Sequence, residues 1–342
     1  MNGWALPISV VICCYADERF EGLLAAVDSV RRQSSPPVEV VVVVDHNAGL
    51  LDRVRAARPN VLTVQSREPQ GLSGARNAGI AATRGEIVAF LDDDAVAEPD
   101  WLERIAAPYA DENVAGVGGA ILAAWRQGRP RWFPEEFDWV VGCTYRGLPT
   151  RPTALRNLIG ANMSFRRSAL EAAGGFAAEM GRTGSYPLGN DDTEFCIRAR
   201  RALPGRVLLY EPRARVRHTV PAARASWSYF RTRCFAEGLA KAALTAVSGS
   251  GEGLSSERAY VARVLPRGVA RGLADVLAGD AAGAGRSLAI VSGLLITAAG
   301  YATGRTRARA GAASPSPRVA TPPVGVAPEP VASEPERGRP AP

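Results

Sequence analysis

Short β-branched runs alternate with segments of helical periodicity in the first third of the chain. The runs predicted as strands are 7–13, 38–44, 61–65 and 86–91. Helical spacing is found in 18–33, 50–57 and 73–83. The run 38–44 is almost entirely valine, which is typical of a strand buried on both faces by helices. This alternation predicts an α/β domain with a doubly wound, mostly parallel sheet, in which ligands bind beyond the carboxyl ends of the strands.

Regular patterning fades between residues 120 and 156, where aromatic residues stand among Pro, Gly and Arg. Aromatic side chains in irregular chain either line a ligand pocket or fill a core beneath a long loop, and the sequence leaves both readings open. Order then returns. We predict strands at 161–165 and 207–210 and helices at 167–173, 193–202 and 225–247.

The C-terminal part differs in character from the rest. After a Gly/Ser linker at 248–256, residues 257–278 are predicted to form a basic amphipathic helix that is kinked at Pro266. The 18 uncharged residues of 287–304 fall slightly short of the ~20 apolar residues that a spanning helix needs. The first segment suits either a membrane interface or packing on the α/β domain, and the second suits insertion without a crossing, a membrane-spanning helix or packing in a soluble protein. The tail 311–342, rich in Pro, Ala and Ser, is predicted to be disordered.

The formal net charge of +7 is unevenly distributed. Residues 1–200 carry a net charge of −4, whereas residues 201–310 carry +11. A basic segment attracts nucleic acid or anionic lipid, and without a zinc finger or an aromatic stacking motif we predict a membrane surface and no nucleic acid. The five cysteines form no CxxC pair, and no signal-peptide pattern opens the chain. We therefore expect a cytoplasmic protein at the cytoplasmic face of the plasma membrane.

Three adjacent carboxylates, Asp92, Asp93 and Asp94, follow the last of the early strands. Neighbouring anions repel one another, and the arrangement is explained if Mg²⁺ or Mn²⁺ lies among them. Such ions usually complete their coordination shell with substrate phosphates, so the spacing Asp92-x-Asp94 points to a nucleotide diphosphate. The alternative is a solvated turn with surplus acids.

Further polar residues follow other predicted strands or begin helices. The Asp45 carboxylate can accept an N–H hydrogen bond from uracil or guanine, or it can shape a turn. The planar fork of Arg76 suits phosphate or carbonyl oxygens, although a polar helix face would also carry it. Asp191 and Asp192 stand in the first turn of a predicted helix, where acids serve catalysis or simple capping.

Taken together, these residues make the chain resemble the family 2 glycosyltransferases of the A-type fold, over about residues 7–245. The resemblance implies that Asp192 is the catalytic base, with Asp191 beside it. It implies nucleotide-sugar binding by Cys14, Tyr15, Asp17, Glu18, Asp45, Arg76, Asp92 and Asp93. It also implies a metal site formed by Asp92, Asp94 and His218.

A narrower resemblance rests on 136–147, 156–157 and 162–167. These segments are similar to archaeal and actinobacterial transferases that extend sugars on polyprenyl phosphates, some of which transfer a hexuronic acid. The resemblance implies a lipid-linked or other glycan acceptor. It implies acceptor binding by Trp139, Arg146, Asn162 and Arg166.

We therefore expect an inverting, metal-dependent glycosyltransferase that moves a hexosyl or hexuronosyl group from a UDP- or GDP-sugar to an acceptor hydroxyl. The expected catalytic domain is 1–247, with a donor half at 1–120 and an acceptor half at 121–247. A basic helical segment at 248–310 and the tail 311–342 would follow it.

Two other functions are weighed against this expectation. A nucleotidyltransferase generally has a Gly-rich loop with a lysine after the first strand, and residues 13–18 contain neither. A catalytically silent glycan-binding scaffold has no need of the carboxylates at 92, 94 and 192.

Overall fold

The computed structural model describes residues 6–177, 191–248 and 255–312. The prediction of a disordered tail therefore concerns residues that lie almost wholly outside the described ones. The strands are β1 Ile8–Cys14, β2 Glu39–Val44, β3 Leu62–Gln65, β4 Ile87–Asp92, β5 Ala95–Ala97, β6 Val114–Trp125, β7 Thr153–Leu155, β8 Asn162–Arg166 and β9 Val207–Val220.

Most of the described helices coincide with predicted ones, but the short helix Trp101–Ala106 was not predicted. The described helices are α1 Phe20–Arg31, α2 Ala48–Ala57, α3 Leu72–Ala82, α4 Trp101–Ala106, α5 Arg167–Ala173, α6 Asp191–Ala202, α7 Trp227–Ser248, α8 Ser255–Ala259, α9 Leu265–Leu277 and α10 Ala282–Ala312. Shorter 3₁₀ turns cover Asp17–Arg19, Ala107–Ala110, Glu135–Val141 and Ala222–Ala225. A π-helical segment, Tyr260–Val264, joins α8 to α9.

The strands form one sheet in the order β3-β2-β1-β4-β8-β6-β9-β5, and β7 pairs with β9. The first four strands in this order are parallel, as predicted. The expectation of a mostly parallel sheet fails beyond β4, because β8 runs antiparallel to both of its neighbours. The sheet is therefore mixed, with a parallel half that carries the early strand ends and a second half that brings β9 beside β5.

Both faces of the parallel half are buried. Along β1, Val10 and Ile12 pack into one hydrophobic cluster and Val11 into another. The valines of β2 divide between the two clusters in the same alternating way. Helices therefore cover the sheet on both sides, which explains why the valine run lacks a polar face.

The C-terminal helices pack tightly on one another and on the α/β domain. At Gly238 of α7, an added Cβ would lie 2.1 Å from the Thr297 carbonyl oxygen, and at Gly300 it would lie 2.2 Å from that of Phe235. The two glycines thus allow α7 and α10 to approach backbone to backbone. The expected kink at Pro266 takes the form of the π-helical segment just before α9, because proline lacks the N–H that a continuous α-helix would use.

Candidate active site

The strand ends β1, β2 and β4 border a cavity of about 1150 Å³, and parts of α3, α6, α7 and α10 form its other walls. This volume exceeds the roughly 300–1,000 Å³ of an ordinary ligand pocket. The cavity lies beyond the carboxyl ends of the parallel strands, where the sequence placed the ligand. Its size suits two substrates bound side by side.

The acidic triplet meets a histidine at one end of this cavity. Antiparallel pairing of β5 with β9 sets Ala95 opposite His218, so the histidine lies beside Asp94. Ligand atoms of Asp92, Asp94 and His218 all lie within 4.8 Å of one another. The predicted metal ligands are thus brought together by strands that are far apart in the chain.

A further observation supports a divalent cation at these three residues. Oδ1 of Asp94 is buried and lies 3.0 Å from Nε2 of His218, yet no hydrogen-bond partner meets it among the described residues. Two ligand atoms that face one another in this way can share a metal ion. Carboxylate and imidazole are both ligands of Mn²⁺, and carboxylate is the preferred ligand of Mg²⁺.

Charge around Asp94 keeps it ionised. Burial alone would raise the pKa of its carboxyl, but His218, Arg19 and Arg224 outweigh burial and hold the pKa well below the ordinary range. Nη1 of Arg19 lies 3.3 Å from Oδ2 of Asp94, and Nη2 of Arg224 lies 3.8 Å from the same atom. Asp94 is therefore an anion available to a cation at neutral pH.

Asp93, the middle acid of the triplet, has a different role from its neighbours. Its Oδ1 accepts a hydrogen bond of 2.7 Å from Arg19, and its side chain is buried. Burial raises the pKa of Asp93 to about 7, against the opposing effect of Arg19. Arg19, which sequence reasoning did not select, thus ties the turn after β1 to the end of β4.

The predicted nucleotide residues divide into two groups. Cys14, Tyr15 and Asp45 line the cavity. Asp17 does not line the cavity. Its carboxylate pairs with Arg53 and accepts a hydrogen bond of 3.0 Å from Nδ2 of Asn47, and these contacts hold it outside the cavity. Glu18 is exposed beside it, outside the cavity lining. The expected contacts of Asp17 and Glu18 with a nucleotide are therefore not supported by their positions.

Asp45 joins the end of β2 to the start of α3. Its Oδ2 accepts a hydrogen bond of 2.9 Å from the Gly71 N–H, and its Oδ1 lies 2.7 Å from Nδ1 of His46. Gly71 has φ of 133°, which only glycine adopts readily. The carboxylate therefore fixes the loop that leads to Arg76 as well as facing the cavity.

Arg76 links the two acidic clusters. The side chain is buried, its Nη1 donates to Oδ2 of Asp191 at 2.6 Å, and its Nη2 lies 3.9 Å from Oδ1 of Asp92. Burial disfavours its charge, but Asp191 and Asp92 more than compensate and raise the pKa of the guanidinium. Asp191 is therefore engaged by Arg76 and sets the position of the guanidinium at the cavity wall.

Asp192 is half-buried at the start of α6 and faces the cavity. Its Oδ2 accepts a hydrogen bond of 2.9 Å from the Gly160 N–H, and its Oδ1 accepts one of 2.6 Å from the Thr193 N–H. Burial raises the pKa of Asp192, and the negative charge of Asp191 adds to this effect. A carboxylate with a raised pKa and a fixed orientation is suited to accept a proton.

Only one of the four predicted acceptor residues lines the cavity. Trp139 does so, and its Nε1 donates to the Tyr260 hydroxyl at 3.2 Å. Arg146 instead pairs with Glu135 away from the cavity. The prediction for Arg146 is therefore not supported by its position.

Asn162 and Arg166 are structural residues of β8, which corrects their predicted role in acceptor binding. Asn162 donates to the Ala120 and Ala214 carbonyl oxygens at 3.0 and 2.9 Å. Arg166 donates to the Tyr109 carbonyl oxygen at 2.7 Å. Both side chains are buried, and they satisfy backbone groups where β8 is inserted into the sheet.

Several cavity residues were missed, and most of them belong to the C-terminal helices; Arg156 instead follows β7, and Arg224 lies in the 3₁₀ turn before α7. The cavity is also lined by Arg156, Arg224, Glu237, Lys241, Glu257 and Tyr260. The basic character of α7 was visible in the sequence, but nothing indicated which of its faces points toward the carboxylates. For residues beyond 248 the sequence left a membrane-facing role and packing on the α/β domain both open, and some of these residues complete the site.

The fold agrees with comparisons to known proteins. Residues 9–174 match the family model for glycosyl transferase family 2. The chain is 35% identical over 240 residues to a glucosyl-dolichyl phosphate glucuronosyltransferase of Haloferax volcanii, covering 69% of this chain and 76% of that relative. It is 26% identical over 258 residues to the succinoglycan biosynthesis protein ExoM of Rhizobium meliloti, covering 73% and 79%. The chain belongs to the family 2 glycosyltransferases.

A solved structure confirms the A-type fold. The mannosyltransferase PcManGT of Pyrobaculum calidifontis, in complex with GDP-Man and Mn²⁺, superimposes with a TM-score of 0.53 at 16% identity. The match covers 86% of this chain and 88% of that one. The Haloferax relative in turn confirms the narrower resemblance to transferases of lipid-linked sugars.

Proposed function

We propose that this protein is an inverting, metal-dependent glycosyltransferase that moves a hexosyl or hexuronosyl group from a UDP- or GDP-sugar to a lipid-linked glycan acceptor. One observation carries the proposal. Asp92, Asp94 and His218 converge as a possible metal site in the same cavity as Asp192. A site for the leaving diphosphate and a base for the incoming hydroxyl are the two parts that such a reaction needs.

Asp92, Asp94 and His218 would hold Mg²⁺ or Mn²⁺, which when bound neutralises charge on the departing diphosphate. Asp45, with Cys14 and Tyr15, borders the place for the base and ribose at the ends of β1 and β2. Arg76 is held by Asp191 with its guanidinium toward Asp92, where positive charge favours phosphate oxygens. The nucleotide sugar would thus be bound at the carboxyl ends of the strands.

Asp192 would accept the proton of the acceptor hydroxyl. The Gly160 and Thr193 N–H groups fix its two oxygens, so the carboxylate is oriented before any substrate arrives. A hydroxyl deprotonated at Asp192 would form its bond to the anomeric carbon as the bond to the diphosphate breaks. Attack opposite the leaving group inverts the configuration at that carbon.

The lipid-linked acceptor is inferred from the Haloferax relative and from the surface of the C-terminal helices. That relative is named for transfer of a glucuronosyl group to glucosyl-dolichyl phosphate. The exposed apolar residues of α9 include Pro266, Ala270, Leu273 and Leu277, and those of α10 include Ala284, Leu288, Val291 and Leu295. Each set recurs at intervals of three or four residues, which forms one stripe along a helix.

The two stripes lie on the same side of the helix pair. Gly268 approaches Ile290 and Gly272 approaches Gly283, so α9 and α10 are antiparallel. Successive residues of an α-helix are about 100° apart around the helix axis. Viewed along its own axis, each helix carries its stripe on the same rotational side of the residues that contact the other helix. Because the two helices are antiparallel, both stripes face the same side of the pair. We call this surface the apolar face; Leu277, at 91% exposure, is its most exposed large side chain.

We propose that the apolar face lies in the cytoplasmic leaflet of the plasma membrane without crossing it. Helix α10 is long and apolar enough over Ala282–Arg307 to span a bilayer. Its opposite side, however, packs backbone to backbone on α7, which carries Arg231, Arg233 and Lys241. A crossing by α10 would draw these charges into the hydrocarbon, so an interfacial position is favoured.

A panel of UDP- and GDP-sugars, assayed with Mn²⁺ for release of the nucleoside diphosphate and for a sugar-bearing polyprenyl phosphate by mass spectrometry, tests the function. We expect one donor to give both products and chelation of the metal to abolish them. Asp94→Asn should weaken metal-dependent binding of the nucleoside diphosphate by at least about 10- to 100-fold, since it removes a proposed ligand. Unchanged affinity in calorimetry would refute the metal assignment.

A further inference from the structure

A compact group of ion pairs stands in the cavity on the side of the C-terminal helices. Arg156 donates from Nη1 and Nη2 to the two carboxylate oxygens of Glu257, each at 3.1 Å. Nζ of Lys241 donates to Oε1 of Glu257 at 2.6 Å and lies 3.1 Å from Oε1 of Glu237. One carboxylate, that of Glu257, is therefore grasped by a guanidinium fork and an ammonium together.

The group is largely removed from water. The side chains of Arg156, Lys241 and Glu257 are exposed by 9%, 18% and 21%. Burial disfavours the charge of Lys241, but Glu237 and Glu257 outweigh it and raise the pKa of the ammonium. Lys241 therefore stays charged at neutral pH, and because a guanidinium is always charged in proteins, an anion placed between the two cations is bound strongly.

This group is close to the proposed catalytic base along a short stretch of chain. Arg156 is four residues before Gly160, whose N–H binds the Asp192 carboxylate. Four residues span at most about 14 Å even when fully extended. An anion between Arg156 and Lys241 would therefore lie within the same cavity as Asp192 and within reach of an acceptor sugar that extends between them.

An apolar wall continues from the ion pairs toward the outside. Val261 and Leu265 on one side, and Leu294 and Ala298 on the other, line the same cavity. Val261 and Ala298 are also exposed at the surface, and Ala298 follows Leu295 of the apolar face by three residues on α10. A hydrocarbon chain lying in this passage would connect the membrane with the two cations.

We propose that Arg156 and Lys241 bind the phosphate of the lipid-linked acceptor and that Glu257 occupies its place until the acceptor arrives. This inference rests on the proposed function, because it assumes an acceptor that carries a lipid phosphate. A phosphodiester between a sugar and a lipid bears one negative charge, as does the carboxylate of Glu257. Exchange of one for the other leaves the charge of the buried group unchanged, and phosphate oxygens suit the same guanidinium fork.

The test compares two soluble acceptors with the same hexose, one linked to farnesyl phosphate and one linked to an uncharged farnesyl ether. Lys241→Met and Arg156→Gln should each raise KM for the phosphate acceptor at least about tenfold, which corresponds to ~1.4 kcal/mol, and leave KM for the ether unchanged. Glu257→Gln should lower KM for the phosphate acceptor, because a competing anion is removed. Lys241→Arg, which keeps the cation, should retain a low KM and shows that the site still folds.

Arg267→Gln is the matched control. Arg267 is an exposed cation on α9, outside the cavity lining, and its loss should change neither KM. An equal rise of both KM values in Lys241→Met, or a rise with the phosphate acceptor in Glu257→Gln, would show that the ion pairs are structural and overturn the proposal.

Direct binding separates this inference from the proposed function. Farnesyl phosphate, measured by calorimetry, should bind the wild-type protein more weakly than Glu257→Gln and more tightly than Lys241→Met. If the protein shows this order but transfers no sugar, the phosphate site stands and the proposed transfer fails. If the protein transfers sugar equally well to the phosphate acceptor and to the ether acceptor, the proposed transfer stands and the phosphate site fails. Inorganic phosphate is the comparison ligand. If inorganic phosphate competes for the site as well as farnesyl phosphate does, recognition of a lipid is overturned.

Discussion

The cavity wall formed by β1, β2 and β4 presents short carboxylates at the strand ends, whereas the wall formed by α7, α8 and α10 carries long cations, Lys241 of α7 and Arg156 of the segment after β7. On the strand side, positions are set by the sheet ladder and by hydrogen bonds such as Asp45 to the Gly71 N–H. On the helix side, they are set by ion pairs among Arg156, Lys241 and Glu257. A site for a diphosphate and a metal needs side chains whose positions are fixed by the backbone of the sheet. A surface that admits a lipid is served by side chains whose positions are set by ion pairs.

The largest expected effect is that of replacing Asp192, the proposed catalytic base. Asp192→Asn should lower the rate of transfer by about 10²- to 10⁴-fold, the usual contribution of a general base. Binding of the nucleoside diphosphate, measured by calorimetry, should be nearly unchanged, because Asp192 does not hold the donor. Asp100→Asn, a substitution of a half-buried carboxylate that does not line the cavity, is the control. Equal loss of transfer and binding would remove Asp192 from the role of base.

Arg76 tests how far the strand-side wall depends on its buried ion pair. Arg76→Met should reduce the free energy of unfolding by about 3–5 kcal/mol, since Asp191 would be left buried without its partner. Urea unfolding followed by circular dichroism gives the value. The double variant Arg76→Met/Asp191→Asn should recover part of the loss. An unchanged midpoint would mean that the pair contributes little and that Arg76 serves the nucleotide alone.

The helix-side wall can be tested through the apolar face. Leu273→Ser combined with Leu277→Ser should weaken binding to anionic lipid vesicles by roughly tenfold or more, because burial of each leucine is worth up to about 1.5–3 kcal/mol. Sedimentation with the vesicles measures this. Leu62→Ser, which replaces a leucine exposed by 46% on β3, should leave binding unchanged. Undiminished sedimentation of the double variant would refute the proposed membrane surface.

The smallest expected effect concerns pH. Only the ionised form of Asp192 can accept a proton, and its pKa is raised by burial and by Asp191. The rate of transfer should therefore increase with pH at values above the ordinary carboxyl pKa of about 3.9. In Asp191→Asn the acidic limb of the pH profile should move to lower pH by on the order of one unit. A limb that stays in place would show that another group controls it.

The strand-side wall was largely predictable from the sequence, because carboxylates that directly follow β-branched runs must share one edge of a parallel sheet. Asp45, Asp92 and Asp94 were found in this way, and the structure brings them to one cavity. Strand β6 was missed, since its glycines and alanines lack the β-branched signal. Asn162 and Arg166 were misassigned because a polar residue in a strand looks the same whether it serves a ligand or the backbone of its neighbours.

The pairing of β5 with β9 has a consequence for dissecting the protein. Asp94 precedes β5, His218 lies on β9, and β6 crosses the expected boundary at residue 120 between the two halves. A fragment that ends there would keep the nucleotide-facing acids but lose their imidazole and expose the bare edge of β4. The two halves are therefore best regarded as interleaved pieces of one cooperative unit, and exchanging one of them between related enzymes would dismantle the other.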